Sequence, residues 1–542
     1  RKPSHAATLL IEKSLECSRS RWGRRRKLSA LLAEISHLKD PTAIPHLAPF
    51  LFDRDPEIAR HSGKLIESLL KLLPTSLLPR LDGSIRNVSF FPMLDDRNVR
   101  SRTDANRVVD RLPDSTTALG IVSCHSNGFI RECAIEKLDD QSVSGDELPF
   151  FLLRLSDWVP SVRSAAEFAV ERRLIPELRE DFMKSLSLIS SLTGRIRVRG
   201  SRLIGPIENL LKSDPISLMR ASVSYIGSGT YRYGLKLALV ESADGGDILS
   251  PESLGTIIQA SHPAARQFIT SWLVKPSTPE PLQNALLPKL LDDHYFAVRR
   301  IALGWCAFRD PNRFLPAVEH ALMDENRVVR NLAQFHIRKL HTLDLASFYR
   351  ERLLQASEIS VRSALLGIGE TGQSDDAHLI LPFTDSDCLK TKKAALESLG
   401  KLDATSHLEV FVEALQSGSP SVSRLARFIM IPFAKRVGGS RFEQIWRSTL
   451  QEHVRLNIVK LVNHLSKWEK VPILLAIQAG SDPVASSLAR NFLVNWFYTF
   501  NQFHQIKPSN SEVEALRLAL EMYGGALPQR LQFELTTLVG PD

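Results

Sequence analysis

Cysteine is scarce in this sequence, and its spacing excludes two common kinds of structural support. The 542 residues contain only five cysteines: Cys17, Cys124, Cys133, Cys306 and Cys388. The number is odd and no pair has CxxC spacing, so we expect neither a disulfide framework nor a thiolate zinc site. Unpaired cysteines are typical of a reducing compartment, and we therefore expect a cytoplasmic protein.

Long apolar runs are missing as well. A helix that spans a bilayer needs about 18 or more apolar residues in a row. The longest apolar stretches, such as 471–479, are interrupted by residues like Pro472 and Gln478. The sequence thus predicts no membrane span. Because the chain begins at Arg1 rather than at a methionine, the sequence leaves open whether a targeting segment was removed.

Motifs of known catalytic chemistry are also absent. The sequence contains no GxxxxGKS or GxxxxGKT phosphate loop, no GxSxG nucleophile elbow and no GxGxxG ahead of a helix. It has no His-Glu dipeptide, and His336 and His341 are five residues apart, which places them on different faces of a helix. We therefore expect no metal, no cofactor and no enzyme activity.

What the sequence does contain is a repeated helical pattern. Around residue 40 it reads DPTAIPHLAPFLFDRDPEIARHSGKLIESLL. Asp40-Pro41 and Asp55-Pro56 each supply a capping carboxylate followed by a proline, which is favoured at the first position of a helix. Apolar residues then recur at helical spacing, beginning with Ile44 and Leu47. This pattern predicts two helices joined by a turn, which bury their apolar faces only when units stack.

The unit recurs along the chain, marked by a branched apolar residue and a basic residue at the start of each second helix. The basic members of this column are Arg100, Arg131, Arg163, Arg299, Arg330, Arg362, Lys392 and Arg455. From Val298 to Ala485 the column positions, including the weaker copies at Thr391, Val422 and Ala485, are 30 to 32 residues apart. A fixed period of about 31 residues is the signature of a repeat array.

This pattern resembles the HEAT-repeat family, in particular the PBS-lyase HEAT-like repeats. The resemblance rests on DPTAIPHL at 40–47, DPEI at 55–58, VRRIALG at 298–304 and KKAALESLG at 392–400. It implies an all-α fold, a right-handed solenoid of helix–turn–helix repeats. We expect a basic helical cap at 1–39, repeats at 40–193, an irregular insertion or atypical repeats at 194–260, regular repeats at 261–490 and a C-terminal helical cap at 491–542.

Positive charge is concentrated near the N-terminus. Residues 1–111 contain 21 Lys and Arg against 13 Asp and Glu, a net of +8 out of the +9 of the whole chain. The segment SRSRWGRRRK and the segment GRIRVRGSR are candidates for binding a polyanion, because guanidinium groups pair with phosphates and an aromatic ring can stack on bases. The candidate residues are Arg19, Arg21, Trp22, Arg24, Arg25, Arg26, Lys27, Arg195, Arg197, Arg199 and Arg202. The first segment can equally form a solvated helix face or a lid over the first repeat.

The basic column has two interpretations. As a functional feature it is a positive stripe along the array; as a structural one it is a ladder in which each guanidinium bonds turn carboxylates and helix ends. We favour the structural interpretation.

Three functions follow from these observations. We favour a non-catalytic scaffold that binds a protein partner on its concave face. The alternative is a nucleic-acid-binding solenoid that uses the basic N-terminal third. A lyase or isomerase, or a DNA-repair enzyme on a HEAT scaffold, is the third. The sequence does not predict the oligomeric state.

Overall fold

The protein is built from α-helices. The computed structural model describes residues 5–18, 24–91, 93–141, 144–194, 202–225, 229–240, 249–340, 343–355, 358–499, 508–527 and 529–539. Helices account for 78% of these described residues, and they include no strand. The prediction of an all-α fold is confirmed.

The helices follow one another along the chain with short connections. In order they are α1 (His5–Ser18), α2 (Arg24–Leu38), α3 (Ile44–Leu47), α4 (Pro56–Leu70), α5 (Leu78–Arg86), α6 (Arg102–Val109), α7 (Thr116–Val122), α8 (Gly128–Gln141), α9 (Leu148–Arg154), α10 (Pro160–Glu171), α11 (Arg179–Lys184), α12 (Leu186–Thr193), α13 (Ile204–Lys212), α14 (Pro215–Val223), α15 (Gly229–Val240), α16 (Pro251–Ala260), α17 (Pro263–Leu273), α18 (Glu280–Leu286) and α19 (Phe296–Arg309). They continue with α20 (Leu315–Ala321), α21 (Arg327–Leu340), α22 (Leu345–Leu354), α23 (Glu358–Thr371), α24 (Ala377–Ile380), α25 (Leu389–Asp403), α26 (Leu408–Leu415), α27 (Pro420–Met430), α28 (Ala434–Val437), α29 (Gly439–Ser448), α30 (Glu452–Val462), α31 (Lys470–Gln478), α32 (Pro483–Thr499), α33 (Asn510–Tyr523) and α34 (Gln529–Val539).

Most helices form pairs, which we describe as an A helix, an A–B turn and a B helix. The first complete pair shows how the sequence produces them. Asp40 accepts a hydrogen bond from the Thr42 N–H and begins a short 3₁₀ and α segment, and Asp55 accepts one from the Glu57 N–H and begins α4. Both caps satisfy helix-end N–H groups that would otherwise lack a partner.

The B helices repeat with the period that the sequence predicts. From α19 onward they begin at Phe296, Arg327, Glu358, Leu389, Pro420, Glu452 and Pro483, which are 31 or 32 residues apart. Successive B helices α23, α25, α27, α30 and α32 contact one another in a row, and each packs on its own A helix. Stacking buries the apolar face that a single pair would leave exposed.

The chain divides into two compact units, Arg1–Trp305 and Cys306–Asp542. In the first unit, buried apolar side chains from Ile11 to Ala302 form one continuous core. The B helices α6, α8 and α10 stack in a row within that unit. The segment 194–260 contains α13, α14, α15 and α16 among its described residues, so helical packing continues through part of the stretch in which the sequence pattern loses its frame.

No helix among the described residues is long and apolar enough to cross a membrane.

Candidate functional site

The basic column lies at the start of the B helices, where five of its members make one common contact. In each, a guanidinium nitrogen donates to the backbone carbonyl six residues earlier, which belongs to the A–B turn. These bonds are Arg131 to His125, Arg163 to Asp157, Arg299 to Asp293, Arg330 to Asp324 and Arg455 to Thr449, with lengths of 2.7 to 3.0 Å. Each arginine therefore fastens the turn that precedes its own helix.

Three other members of the column differ. Arg100 is exposed and precedes α6, and its backbone N–H donates to the Asp104 carboxylate. Arg362 and Lys392 reach carboxylates at 3.6 and 3.7 Å, those of Glu325 and Asp385.

The sequence pattern missed one arginine of this kind. Arg266, near the start of α17, donates to the Ser261 carbonyl at 2.7 Å, which is five rather than six residues earlier. The pattern does not include it because Ala265, rather than a branched residue, precedes it. A proline three residues earlier, Pro263, was the available signal, since Pro160 stands in the same relation to Arg163.

Turn aspartates connect one repeat to the next. Arg131 makes a bidentate pair with Asp157, with bonds of 3.0 and 2.8 Å, while the Asp157 carbonyl accepts from Arg163. Arg266 forms the same bidentate pair with Asp293, whose carbonyl accepts from Arg299. In both turn aspartates, the side-chain carboxylate therefore accepts from the arginine of the preceding repeat, and the backbone carbonyl accepts from the arginine of the same repeat.

Asp157 is the centre of a buried cluster of charges. Besides Arg131, its carboxylate accepts from Arg86 at 3.0 Å and from Arg154 at 2.9 Å, and both of these arginines also pair with Asp82. Burial by itself raises the pKa of the Asp157 carboxyl. Hydrogen bonds from Arg131 and the Val159 N–H, together with nearby positive charge, outweigh that effect and lower the pKa to about 2. The carboxylate is therefore ionised at all ordinary pH values.

A cysteine and a histidine lie next to this cluster, and their environment makes both chemically quiet. Burial raises the pKa of the Cys124 thiol to about 12, so the reactive thiolate does not form near neutral pH. Burial and the charge of Arg131 lower the pKa of His125 to about 4, and its Nδ1 accepts from the Asn127 N–H. Elsewhere in the described chain, no three His, Cys, Asp or Glu side chains are grouped as metal ligands.

Exposed apolar side chains are concentrated at the A–B turns. Of the twenty large apolar residues exposed in the described chain, eight lie in or beside these turns. They are Phe91, Phe129, Trp158, Val328, Leu354, Leu389, Leu450 and Val484. Beside the turns that join a B helix to the next A helix the same criterion finds five: Leu38, Leu72, Ile175, Phe308 and Tyr498. Among the described residues, the A–B turns therefore carry more exposed apolar side chains than the B–A turns.

In the first unit, the A–B turns bring three exposed aromatic residues onto one edge. Phe91, Phe129 and Trp158 are 58%, 42% and 60% exposed. Neighbouring turns touch: the Asn127 side chain donates to the Val99 carbonyl at 2.9 Å, and a Cβ on Gly128 would lie 3.2 Å from Val159. The Arg131 guanidinium lies 5.7 Å from the centre of the Trp158 ring. We call Phe91, Phe129 and Trp158 the aromatic edge.

The basic N-terminal segment contacts the first repeat. Arg24 forms an ion pair with the fully buried carboxylate of Asp53, and Arg25 pairs with Asp55 and Glu57. Arg26 and Lys27 are exposed, and Arg202 donates to Glu171 at 2.8 Å. The remaining polyanion candidates, Arg19, Arg21, Trp22, Arg195, Arg197 and Arg199, lie outside the described residues.

Another group of cations in the N-terminal third lines a cleft of about 560 Å³. Arg60 and Lys64 come from α4 and Arg111 from the turn after α6, and none of the three forms an ion pair with a carboxylate that the structure describes. The two acidic residues in the lining are engaged elsewhere: Glu67 with Lys71, and Asp114 with Gln141.

A second basic segment lies in the unit Cys306–Asp542, and a charge count over the whole chain does not reveal it. Residues 420–470 contain 10 Lys and Arg but only 3 Asp and Glu, a net of +7 that acidic stretches elsewhere offset. A charge count in windows of about 50 residues would have revealed this segment.

Comparisons with known proteins do not assign this chain to a family. No protein family matches the sequence, and no curated protein sequence is similar to it. Among solved structures, the chain is similar to Kap95p bound to RanGDP (11% identity, 98% of this chain and 76% of that chain, TM-score 0.39). It is also similar to importin beta (13% identity, 98% and 77%, TM-score 0.33) and to the S. pombe condensin Cnd3-Cnd2 subcomplex (15% identity, 99% and 83%, TM-score 0.31). These low values say nothing about what the chain binds. By its own stacked helix pairs and their period of about 31 residues, the chain has the HEAT-repeat fold.

Proposed function

We propose that this protein is a non-catalytic scaffold that binds a protein partner through the aromatic edge. The observation that carries the proposal is the exposure of Phe91, Phe129 and Trp158 on neighbouring turns of a single unit. Soluble proteins rarely leave Trp and Phe side chains clustered at the surface unless they contact a partner. Such aromatic anchors, with Arg, contribute most of the binding energy in protein interfaces.

The arginine ladder supports this proposal because it holds the presenting turns in place. Arg131 is fully buried and bonds the carbonyls of His125 and Ser126, while its partner Asp157 accepts from the Val159 N–H. Phe129 and Trp158 therefore project from turns whose backbone is already fixed. A surface ordered before binding loses less conformational entropy when the partner arrives.

Affinity capture from the native cell, with matched variants, tests the proposal. We expect Phe129→Ala combined with Trp158→Ala to reduce capture of a specific partner by about tenfold or more, since each anchor is worth over 1 kcal/mol. The control combines Phe168→Ala with Phe308→Ala, which removes two aromatic side chains that are 59% and 81% exposed on B helices. If the control and the test variant capture the same proteins in equal amounts, the aromatic edge is not the binding surface.

Binding of a protein partner at a concave face, the interpretation favoured from the sequence, stays a separate prediction. Phe335 is exposed on the B helix α21 and Phe428 in the last turn of the B helix α27, and each lies six residues after the apolar column position of its repeat. A variant with Phe335→Ala and Phe428→Ala tests that surface. Loss of the partner from this variant, with retention by the Phe129 and Trp158 variant, would favour the B-helix face.

Nucleic-acid binding by the N-terminal third remains the alternative, and the cleft lined by Arg60, Lys64 and Arg111 supports it. Arg24 and Arg25 support it less, because carboxylates of the first repeat already neutralise their charges. A salt titration tests the alternative: replacing the three cleft residues with Ala should weaken oligonucleotide binding and flatten its salt dependence.

A further inference from the structure

The basic segment 420–470 is unusual because its acidic side chains neutralise few of its cations. Glu469 accepts hydrogen bonds from the Gly439 N–H at 2.8 Å and from Ser466, and Glu443 pairs with Arg447. Arg441 pairs with Glu409. Among the described residues, no carboxylate forms an ion pair with Arg424, Arg427, Lys435, Arg436 or Lys470.

These remaining cations come from consecutive elements of the second unit. Arg424 and Arg427 lie on the B helix α27, and Lys435 and Arg436 on α28, which follows it. His464 follows the next B helix, α30, and Lys470 is the first residue of α31. α27 packs directly on α30. We call Arg424, Arg427, Lys435, Arg436, His464 and Lys470 the basic edge.

The electrostatics of the basic edge show that these groups act on one another. Burial and the charge of Arg424 lower the pKa of Arg427. Burial and the charge of Lys435 lower the pKa of Lys470. Burial, Lys470 and Arg427 lower the pKa of His464. Mutual repulsion of this kind is unfavourable in the free protein and is relieved when an anion binds.

One hydrogen-bond donor at this edge is also unsatisfied. Arg427 Nε is buried and has no hydrogen-bond partner, whereas Lys470 Nζ donates to the Asn463 carbonyl at 3.0 Å. A buried donor without a partner is uncommon in folded proteins and marks a place where an external acceptor would be favourable.

An exposed aromatic ring narrows the class of anion. Phe428 is 56% exposed, and the Arg427 guanidinium lies 4.0 Å from the centre of its ring. Arg424 is on the same helix face, four residues before Phe428. Cations beside an exposed ring suit a strand that offers phosphates and unpaired bases together, because every base can stack on an aromatic face. A small inorganic anion would gain nothing from the ring.

We propose that the basic edge binds single-stranded nucleic acid, with the cations contacting successive phosphates and Phe428 stacking on a base. Paired bases are not available for stacking, so a duplex would gain only the phosphate contacts. This binding does not depend on the aromatic edge, which belongs to the other unit.

Fluorescence anisotropy with the purified full chain tests the proposal. The probes are labelled single-stranded RNA and DNA of mixed sequence, each measured at two salt concentrations. A variant with Arg424→Ala, Lys435→Ala and Arg436→Ala removes three exposed cations. We expect binding to weaken about tenfold or more and the slope of log affinity against log salt to decrease by about 2, which is about 0.7 for each lost phosphate contact. Comparison of the two probes shows whether the strand is RNA, DNA or either.

Two further variants separate a specific edge from general positive charge. The matched control, Arg338→Ala with Lys339→Ala and Lys390→Ala, removes three exposed cations from α21 and α25 and should leave the affinity within about twofold. Phe428→Ala should weaken binding about fivefold or more while the salt slope stays the same, because stacking is not a charge contact.

Several results would overturn the proposal. The wild-type chain is first titrated with each probe at low salt, because basic proteins bind nucleic acid readily under that condition. If neither probe binds, the basic edge is not a nucleic-acid site. Equal losses in the control and test variants, or stronger binding to an acidic peptide or to anionic vesicles than to either strand, also reject it. Loss of binding only when Arg60, Lys64 and Arg111 are replaced would assign the strand to the N-terminal cleft. None of these results bears on capture of a protein at the aromatic edge.

Discussion

Replacing Asp157 by Asn tests whether the arginine ladder stabilises the first unit. We expect the free energy of local unfolding around this residue to fall by about 2–4 kcal/mol at pH 7. The lower figure follows from the pKa of about 2 against the ordinary value of 3.8, because Asn resembles the protonated carboxyl and each pKa unit is worth about 1.4 kcal/mol. The higher figure reflects the arginines that lose this carboxylate: buried Arg131 would keep no ion-pair partner, while Arg86 and Arg154 would keep only the half-buried Asp82.

The same group predicts a dependence on pH whose sign is fixed. The pKa of Asp157 is lower in the folded chain than its ordinary value of 3.8. The stabilisation is therefore fully present above pH 3.8 and is lost as the pH falls through 2. Between about pH 5 and pH 2 the wild-type chain should lose a component of stability that the Asp157→Asn variant lacks at every pH.

Hydrogen exchange measured by mass spectrometry is the suitable assay, because a long repeat array does not unfold in a single two-state step. Peptides that cover α8 and α10 should exchange faster in the variant. The control is Asp110→Asn, which removes an exposed partner of Lys137 and should change stability by less than about 0.5 kcal/mol. If Asp157→Asn changes exchange no more than Asp110→Asn, the buried ladder is not a source of stability.

Three further predictions concern other contacts. Arg24→Ala should destabilise the first repeat by about 1–3 kcal/mol as measured by hydrogen exchange, because Asp53 loses its ion-pair partner, while oligonucleotide affinity stays within about twofold. Gly120→Ala should destabilise the chain, because the new Cβ would overlap the Phe150 ring. Gly83→Ala, in open space on α5, should instead raise stability by about 0.4–1 kcal/mol. Equal effects of the two variants in thermal melts would contradict this packing. Exposed Cys388 should react rapidly with a thiol reagent at about pH 7.5, and Cys306, whose pKa burial raises to about 12, should react only after denaturation, as peptide mapping would show.

The fold could be predicted from the sequence because its determinants are local. Asp40-Pro41 and Asp55-Pro56 fix helix starts through bonds to residues two positions away, and the apolar spacing that follows decides which face is buried. The period of about 31 residues was readable for the same reason, since every repeat carries its own signals. At Ala265-Arg266 the branched apolar residue is missing, so the sequence pattern did not identify Arg266. In the structure Arg266 bonds an A–B turn from the start of its helix, as the arginines of the column do.

The ligand-binding surfaces depend on contacts that local patterns do not contain. The sequence determined that this chain forms helix pairs and that Arg131 and Arg163 start their B helices. Only the tertiary structure decided that Arg24 would be neutralised by Asp53, 29 residues away, and that Arg427, Lys435 and Lys470 would remain without a carboxylate among the residues described. Charge in a sequence is a count, whereas the field at a surface depends on which charges face each other after packing, and that is set by the stacking of one repeat on the next.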